Sequence, residues 1–106
     1  MESCLIIVDL QNDYFPGGNM ELVKTTRAAA NAQKLLHTFR TEQSPIIHIQ
    51  HFSVSPGSNF FVPETDGVEI NELVAPLAGE NVIKKNYPNS FRETELLEVI
   101  KKRGLK

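Results

Sequence analysis

Asp9 ends a continuous apolar run, Cys4-Leu5-Ile6-Ile7-Val8. A carboxylate at the mouth of a buried strand has two uses. It can accept backbone N–H bonds and cap the next loop, or it can act as a general base. Asp13 reads as a loop residue. Lys84 and Lys85 close a second apolar stretch. Neighbours on a strand point to opposite faces, so at most one of these lysines enters a given site. There it would either stay solvated, or pair with an aspartate and hold a nearby thiol as thiolate. His48 and His51 also fall on opposite faces of a strand, which is poor for joint metal ligation. They read as one core histidine and one site-lining histidine, with His51 the site candidate. Cys4 is the single thiol. It lies at the start of the first strand, away from Asp9, and reads as a small buried hydrophobe.

Phosphate and nucleophile signatures are missing from the chain. There is no Gly-x-Gly-x-x-Gly, no Walker loop and no Gly-x-Ser-x-Gly elbow. Pro16-Gly17-Gly18 has no helix directly behind it, so it is a weak phosphate cradle.

The elements that position these residues follow from periodicity. Cys4 to Val8 is apolar without alternation, as in a strand buried on both faces of a parallel sheet. Thr25 or Thr26 to about Gln43 is helical: Ala28, Ala32, Leu35 with Leu36, and Phe39 recur at spacings of three and four. Either threonine is a candidate N-cap, and Ser44-Pro45 breaks the helix. Pro45 to Phe52 is an isoleucine-rich strand, giving a βαβ unit with a parallel, right-handed crossover. Ser53 to Gly67 is a long irregular loop of the kind that carries function. Val68 to Val74 suggests a short helix closed by Pro76. Asn81 to Lys85 is a third strand. Thr94 to Arg103 reads as a helix with Leu97 and Ile100 facing the core, Leu96 and Val99 widening the stripe, and Gly104 as its C′ cap. The expected fold is α/β, three-layer α/β/α, with a mainly parallel, doubly wound, Rossmann-like sheet. In such sheets the ligand crevice lies at the carboxyl ends of the strands, where Asp9, His51 and Lys84/Lys85 converge.

Composition narrows the function classes. The chain has 106 residues, 41% apolar and 23% charged, with net charge −2. That is the composition of a globular domain, not of a disordered chain. No apolar run approaches the roughly 20 residues that span a bilayer. The first apolar run has no basic leader, so no secretory signal and no membrane partner are expected. One cysteine excludes an intramolecular disulfide framework and fits a reducing, cytoplasmic setting. Mild acidity offers nucleic acid no electrostatic footing.

Taken together, the motifs resemble the isochorismatase-like cysteine hydrolases, which include nicotinamidases and related amidases. The residues that carry the resemblance are Leu5 to Phe15, Pro45 to His51, Val82-Ile83-Lys84-Lys85, Asn89-Ser90-Phe91 and Thr94-Glu95-Leu96. They occur in family order across essentially the whole chain. The resemblance implies a catalytic aspartate, lysine and cysteine. Asp9 matches the aspartate. The family lysine precedes the phenylalanine of the Asn89-Ser90-Phe91 block by six residues, which selects Lys85. Phe15, His51 and Phe91 would line the substrate pocket. No metal and no cofactor are implied. The cysteine of the family would follow a further strand, past a turn like Arg103-Gly104-Leu105-Lys106, with Leu105 entering that strand. Residues 1–106 therefore read as the N-terminal part of one hydrolase domain acting on a small amide or related carbonyl compound. The remaining C-terminal part of that domain, or a second copy in a homo-oligomer, is the expected partner. Two alternatives stand beside this reading: an inactive binding or assembly module of the same fold, and a metal-dependent hydrolase using Asp9, Asp13, His48 and His51.

Overall fold

A computed structural model describes residues 3–104 of the chain. The elements run β1 (Leu5–Val8), α1 (Thr25–Thr41), β2 (Ile46–His51), β3 (Asn81–Lys85) and α2 (Leu96–Lys102). All three strands are parallel, in the order β1-β2-β3. Their carboxyl ends therefore meet at one rim. Leu105, expected to open a further strand, lies outside the described residues. No described helix is long and apolar enough to cross a membrane.

Strand alternation splits the core in two. On one face, Ile7 and Ile46 pack with Ala29 and Leu36 of α1, together with Phe15 and Val74. On the other, Ile47, Ile49 and Ile83 pack with Leu96 of α2, flanked by Cys4, Val99 and Ile100. Burying each of these large aliphatic side chains stabilises the fold by about 1.5–3 kcal/mol. The result is the three-layer α/β/α arrangement with a parallel sheet.

Several local expectations are corrected. α1 presents Ala29 and Leu36 to the sheet, while Ala28 and Leu35 are exposed. The apolar stripe in this sequence is wide enough to fit either register. Neither threonine caps α1. Lys24 holds the N-cap position at φ +64, and the Thr25 hydroxyl donates to Leu22 O at 2.8 Å. α2 is shorter than expected and buries Leu96, leaving Leu97 at its surface. Val68 to Val74 is not one helix. It is two single 3-10 turns, Asp66–Val68 and Glu72–Val74. Between them Ile70 bridges antiparallel to Gln11, which draws the backbone out of a helical path. β1 is not buried on both faces: Ile7 is buried, but Ile6 and Val8 are exposed on the α2 side. α2 covers β2 and β3 and leaves Ile6 and Val8 of β1 uncovered. Gly104 does cap α2, at φ +70, donating its N–H to Lys101 O at 3.0 Å.

The amino end of the sheet is held by charge. Glu80, just before β3, accepts Arg40 Nε at 2.6 Å and Arg40 Nη2 at 2.9 Å. It also sits 2.8 Å from His48 Nε2 and accepts Leu77 N–H at 3.0 Å. The Arg40 guanidinium first, and the Leu77 and His48 bonds after it, pull the Glu80 carboxyl down to about 2 against the effect of burial. His48 is thereby the core histidine of the pair, buried on the α1 face.

Candidate functional site

Three strand ends build the site. At the end of β1 the Asp9 N–H still donates to Ile49 O at 3.0 Å. The backbone then turns at φ +59, a left-handed conformation that aspartate tolerates better than most residues. This turn brings Asp9 Oδ2 to 3.3 Å from Lys85 Nζ at the end of β3. The lysine side chain is 3% exposed. Its ammonium has further acceptors in Tyr87 O at 3.1 Å and Pro88 O at 3.4 Å. The ammonium thus has two carbonyl acceptors and one paired carboxylate around it. Asp9 Oδ1 is buried and has no hydrogen-bond partner among the described residues. The carboxylate therefore has one oxygen on the lysine and one free to take a proton.

Such a pair is a poor device for stability alone. Removing a lysine and a carboxylate from water costs several kcal/mol per ion, and their attraction only roughly repays it. A desolvated, specifically paired lysine at a strand mouth is instead typical of a functional site. The geometry also separates the two lysines. Lys85 shares its face with its register partner His51. Lys84 points to the other face, where its ammonium lies 5.1 Å from the centre of the Phe52 ring.

His51 stands beside the pair. Burial first, then the Lys85 ammonium, hold its pKa below the ordinary 6.5, and Asp9 opposes both. Its ring lies 5.7 Å from that of Phe61, which in turn meets Tyr14 edge-on at 4.7 Å. Burial and then the Asp9 carboxylate raise the pKa of Tyr14, which places its hydroxyl in the field of the pair. Asp9, Lys85, His51, Tyr14 and Phe61 thus form one charged and aromatic group at the strand ends.

Tyr14 and Phe61 are not legible as site residues from the sequence. The one signal for Phe61 is the Phe60-Phe61 pair inside a polar loop. Asp13 explains how Phe61 gets there. It is not a plain loop residue but is 4% exposed, and its Oδ2 accepts the Phe61 N–H at 2.6 Å. That bond helps hold Phe61 at φ +54, a strained setting for a bulky residue. Gly67 lies against the same carboxylate so closely that a Cβ there would collide with it.

The other expected residues have different places. Phe15 is buried in the α1-side core. It also borders a surface cavity of about 740 Å³ whose walls include Asn12, Gly18, Asp66 and Glu72 but neither Asp9 nor Lys85. Phe91 is half exposed in the loop after β3, its N–H donating to Asn89 Oδ1 at 2.9 Å. Cys4 packs at the far end of β1 from Asp9, with its pKa raised by burial and lowered in part by Arg103. The four residues of the metal alternative are not gathered. His48 and His51 lie on opposite faces, and Asp13 is engaged with main-chain N–H groups.

Comparison with known proteins places this arrangement in context. The isochorismatase domain family matches residues 3–106. An uncharacterised isochorismatase family protein of Bacillus subtilis, YddQ, is 46% identical over 106 residues, covering 100% of this chain and 59% of its own. A crystal structure described as an isochorismatase hydrolase of Oleispira antarctica is 39% identical with a TM-score of 0.89, covering 93% of this chain and 54% of the other. The N-carbamoylsarcosine amidase of Thermoplasma acidophilum, 23% identical with a TM-score of 0.89, shares the fold over 99% of this chain and 64% of its own. The chain thus spans a little over half the length of YddQ and of the Oleispira protein.

Proposed function

The chain belongs to the isochorismatase family, and from that premise we propose that the whole protein is a cysteine hydrolase of a small amide or related carbonyl compound. The observation that carries this reading is the Asp9–Lys85 pair, 3.3 Å apart at the converging ends of β1 and β3, with Asp9 Oδ1 buried and free. In this proposal Asp9 Oδ1 takes the proton of a cysteine thiol. The thiolate attacks the carbonyl carbon, and backbone N–H groups hold the oxyanion. The amine leaves with the proton from Asp9. Water then adds to the thioester, and the acid product departs as the thiol is restored. Lys85 keeps the carboxylate oriented and favours the thiolate electrostatically. His51, with Tyr14 and Phe61, forms the pocket wall.

Cys4 does not serve as nucleophile, because it sits at the opposite end of β1. The proposal assigns that role to a cysteine in the remaining part of the domain. Two observations support treating residues 1–106 as the N-terminal part of one domain. The relatives described above are matched over little more than half their length. β1 pairs only with β2 among the described residues, leaving Ile6 and Val8 open.

The test is turnover of a panel of small primary amides by the full-length protein. Asp9→Asn and Lys85→Ala should each lower kcat by at least about 100-fold, the lower range for a lost general base. Circular dichroism should stay that of the wild type. Activity retained in either variant overturns the mechanism. Ligand binding without turnover by the wild type would point instead to an inactive binding module.

A further inference from the structure

Gln11 has 0% exposure and sits between the site's elements, yet the chemistry above makes no direct use of it. Its side-chain oxygen accepts the His51 N–H at 2.8 Å, and its amide group donates to His51 O at 2.8 Å. Those two bonds satisfy both main-chain groups that His51 turns toward β1 in the parallel ladder. The same amide group also donates to Val68 O at 2.7 Å. The main-chain ladder of β1 ends one step earlier, at the Asp9 N–H on Ile49 O. There the backbone leaves the sheet at φ +59, turning the Asp9 carboxylate toward Lys85. Without a substitute, the edge of β2 at His51 would lose both of its partners in a part-buried setting, which disfavours the ladder there. His51 is the register partner of Lys85, and the Phe52 N–H that follows it donates to Lys85 O at 2.8 Å.

We propose that Gln11 is a positioning residue whose carboxamide stands in for a strand residue at the end of β1. It lets the main chain turn Asp9 onto Lys85 while His51 and the Lys85 end of β3 stay in register. Val68 O, the third partner, ties the loop before β3 to the same point. This inference rests on the hydrolase reading for its consequence in turnover, but not for its structural content.

The experiment uses the full-length protein and Gln11→Met, which keeps the length of the side chain and removes all three bonds. The first readout is the pH titration of the histidine rings by NMR, with His51 identified by its loss in His51→Gln. The second is kcat and KM separately on the amide panel. His51 should titrate closer to 6.5 in Gln11→Met, because its ring is released from burial and from Lys85, while the other rings are unmoved. kcat should fall about 100-fold, the scale of a small misplacement of reacting groups, with KM little changed. An unmoved His51, or all rings shifting together as in general loosening, overturns the inference. A wild type inactive on every amide overturns the hydrolase reading, and the NMR result alone then decides the role of Gln11. Should Gln11→Met not fold, Gln11→Glu carries the test through hydrogen exchange of the His51 amide. Its protonated acid accepts that N–H and donates to one carbonyl, whereas its carboxylate faces two carbonyl oxygens. Protection should approach the wild-type value at acid pH and be lost near neutrality, and a ratio independent of pH overturns the inference.

Discussion

Replacing Glu80 by alanine tests how the sheet is held at the end away from the site. Four bonds of 2.6–3.0 Å converge on this carboxylate, from Arg40 twice, from His48 and from Leu77. Arg40 is 27% exposed, so water can replace its lost partner. His48 is 1% exposed and cannot be rescued in that way. The main cost is therefore the stranded histidine, about 1–3 kcal/mol when left unpaired, because the Leu77 N–H bond is exposed and water can replace it too. A total of about 1–3 kcal/mol is expected, set mainly by the buried histidine. Glu80→Gln should cost less, since its carboxamide can still accept from Arg40. The pH dependence gives a second check. The folded pKa of Glu80, about 2, lies below its ordinary 4.5. The charged form therefore favours the folded state, and its contribution is complete above 4.5. It shrinks as pH falls from 4.5 toward 2 and is gone below that. Urea unfolding of wild type and Glu80→Gln at pH 7, 4.5 and 3 reads this directly. The gap between their midpoints should be constant from pH 7 to 4.5 and narrower at pH 3. A gap that is absent at pH 7, or that does not narrow, would refute the assignment of Glu80 as the charged anchor.

Two further outcomes follow from packing. Gly67→Ala drives a methyl group into the Asp13 carboxylate, so it should destabilise by about 1–3 kcal/mol and selectively loosen Phe61, read as faster exchange of the Phe61 amide. Leu36→Ala should cost about 2–5 kcal/mol in urea unfolding, whereas Leu35→Ala, on a half-exposed side chain, should cost much less. A larger cost for Leu35→Ala would mean that α1 is turned by one residue from the setting described, and equal costs would refute that setting.

How much of this was legible in advance depended on the kind of interaction. Asn81–Lys85 emerges as a strand with the boundaries its apolar core and flanking turn residues predict. Short-period signals of this kind are local, and so is the glycine stop at Gly104. The rotational setting of α1 was not legible. Ala28-Ala29 and Leu35-Leu36 are adjacent apolar pairs, and only contact with Ile7 and Ile46 decides which member turns inward. The two 3-10 turns within Asp66 to Val74 also escaped. Their path is set by the bridge to Gln11, more than fifty residues earlier in the chain.

For the site, the chain of residues alone determined that Asp9, His51 and the lysine pair lie at strand ends, because strand length and parallel order follow from local pattern and connection. It determined by resemblance that Lys85 rather than Lys84 is the lysine of interest. The tertiary structure decided the rest. It set the 3.3 Å approach of Lys85 to Asp9 across an intervening strand. It sent Phe15 to the core, and it brought Phe61 to His51 through the buried carboxylate of Asp13. It gave Gln11 its place in the ladder of β2. The physical reason is common to all of these. Periodicity encodes which side of its own element a residue occupies, whereas a buried hydrogen bond or ion pair depends on what another, distant segment places opposite it.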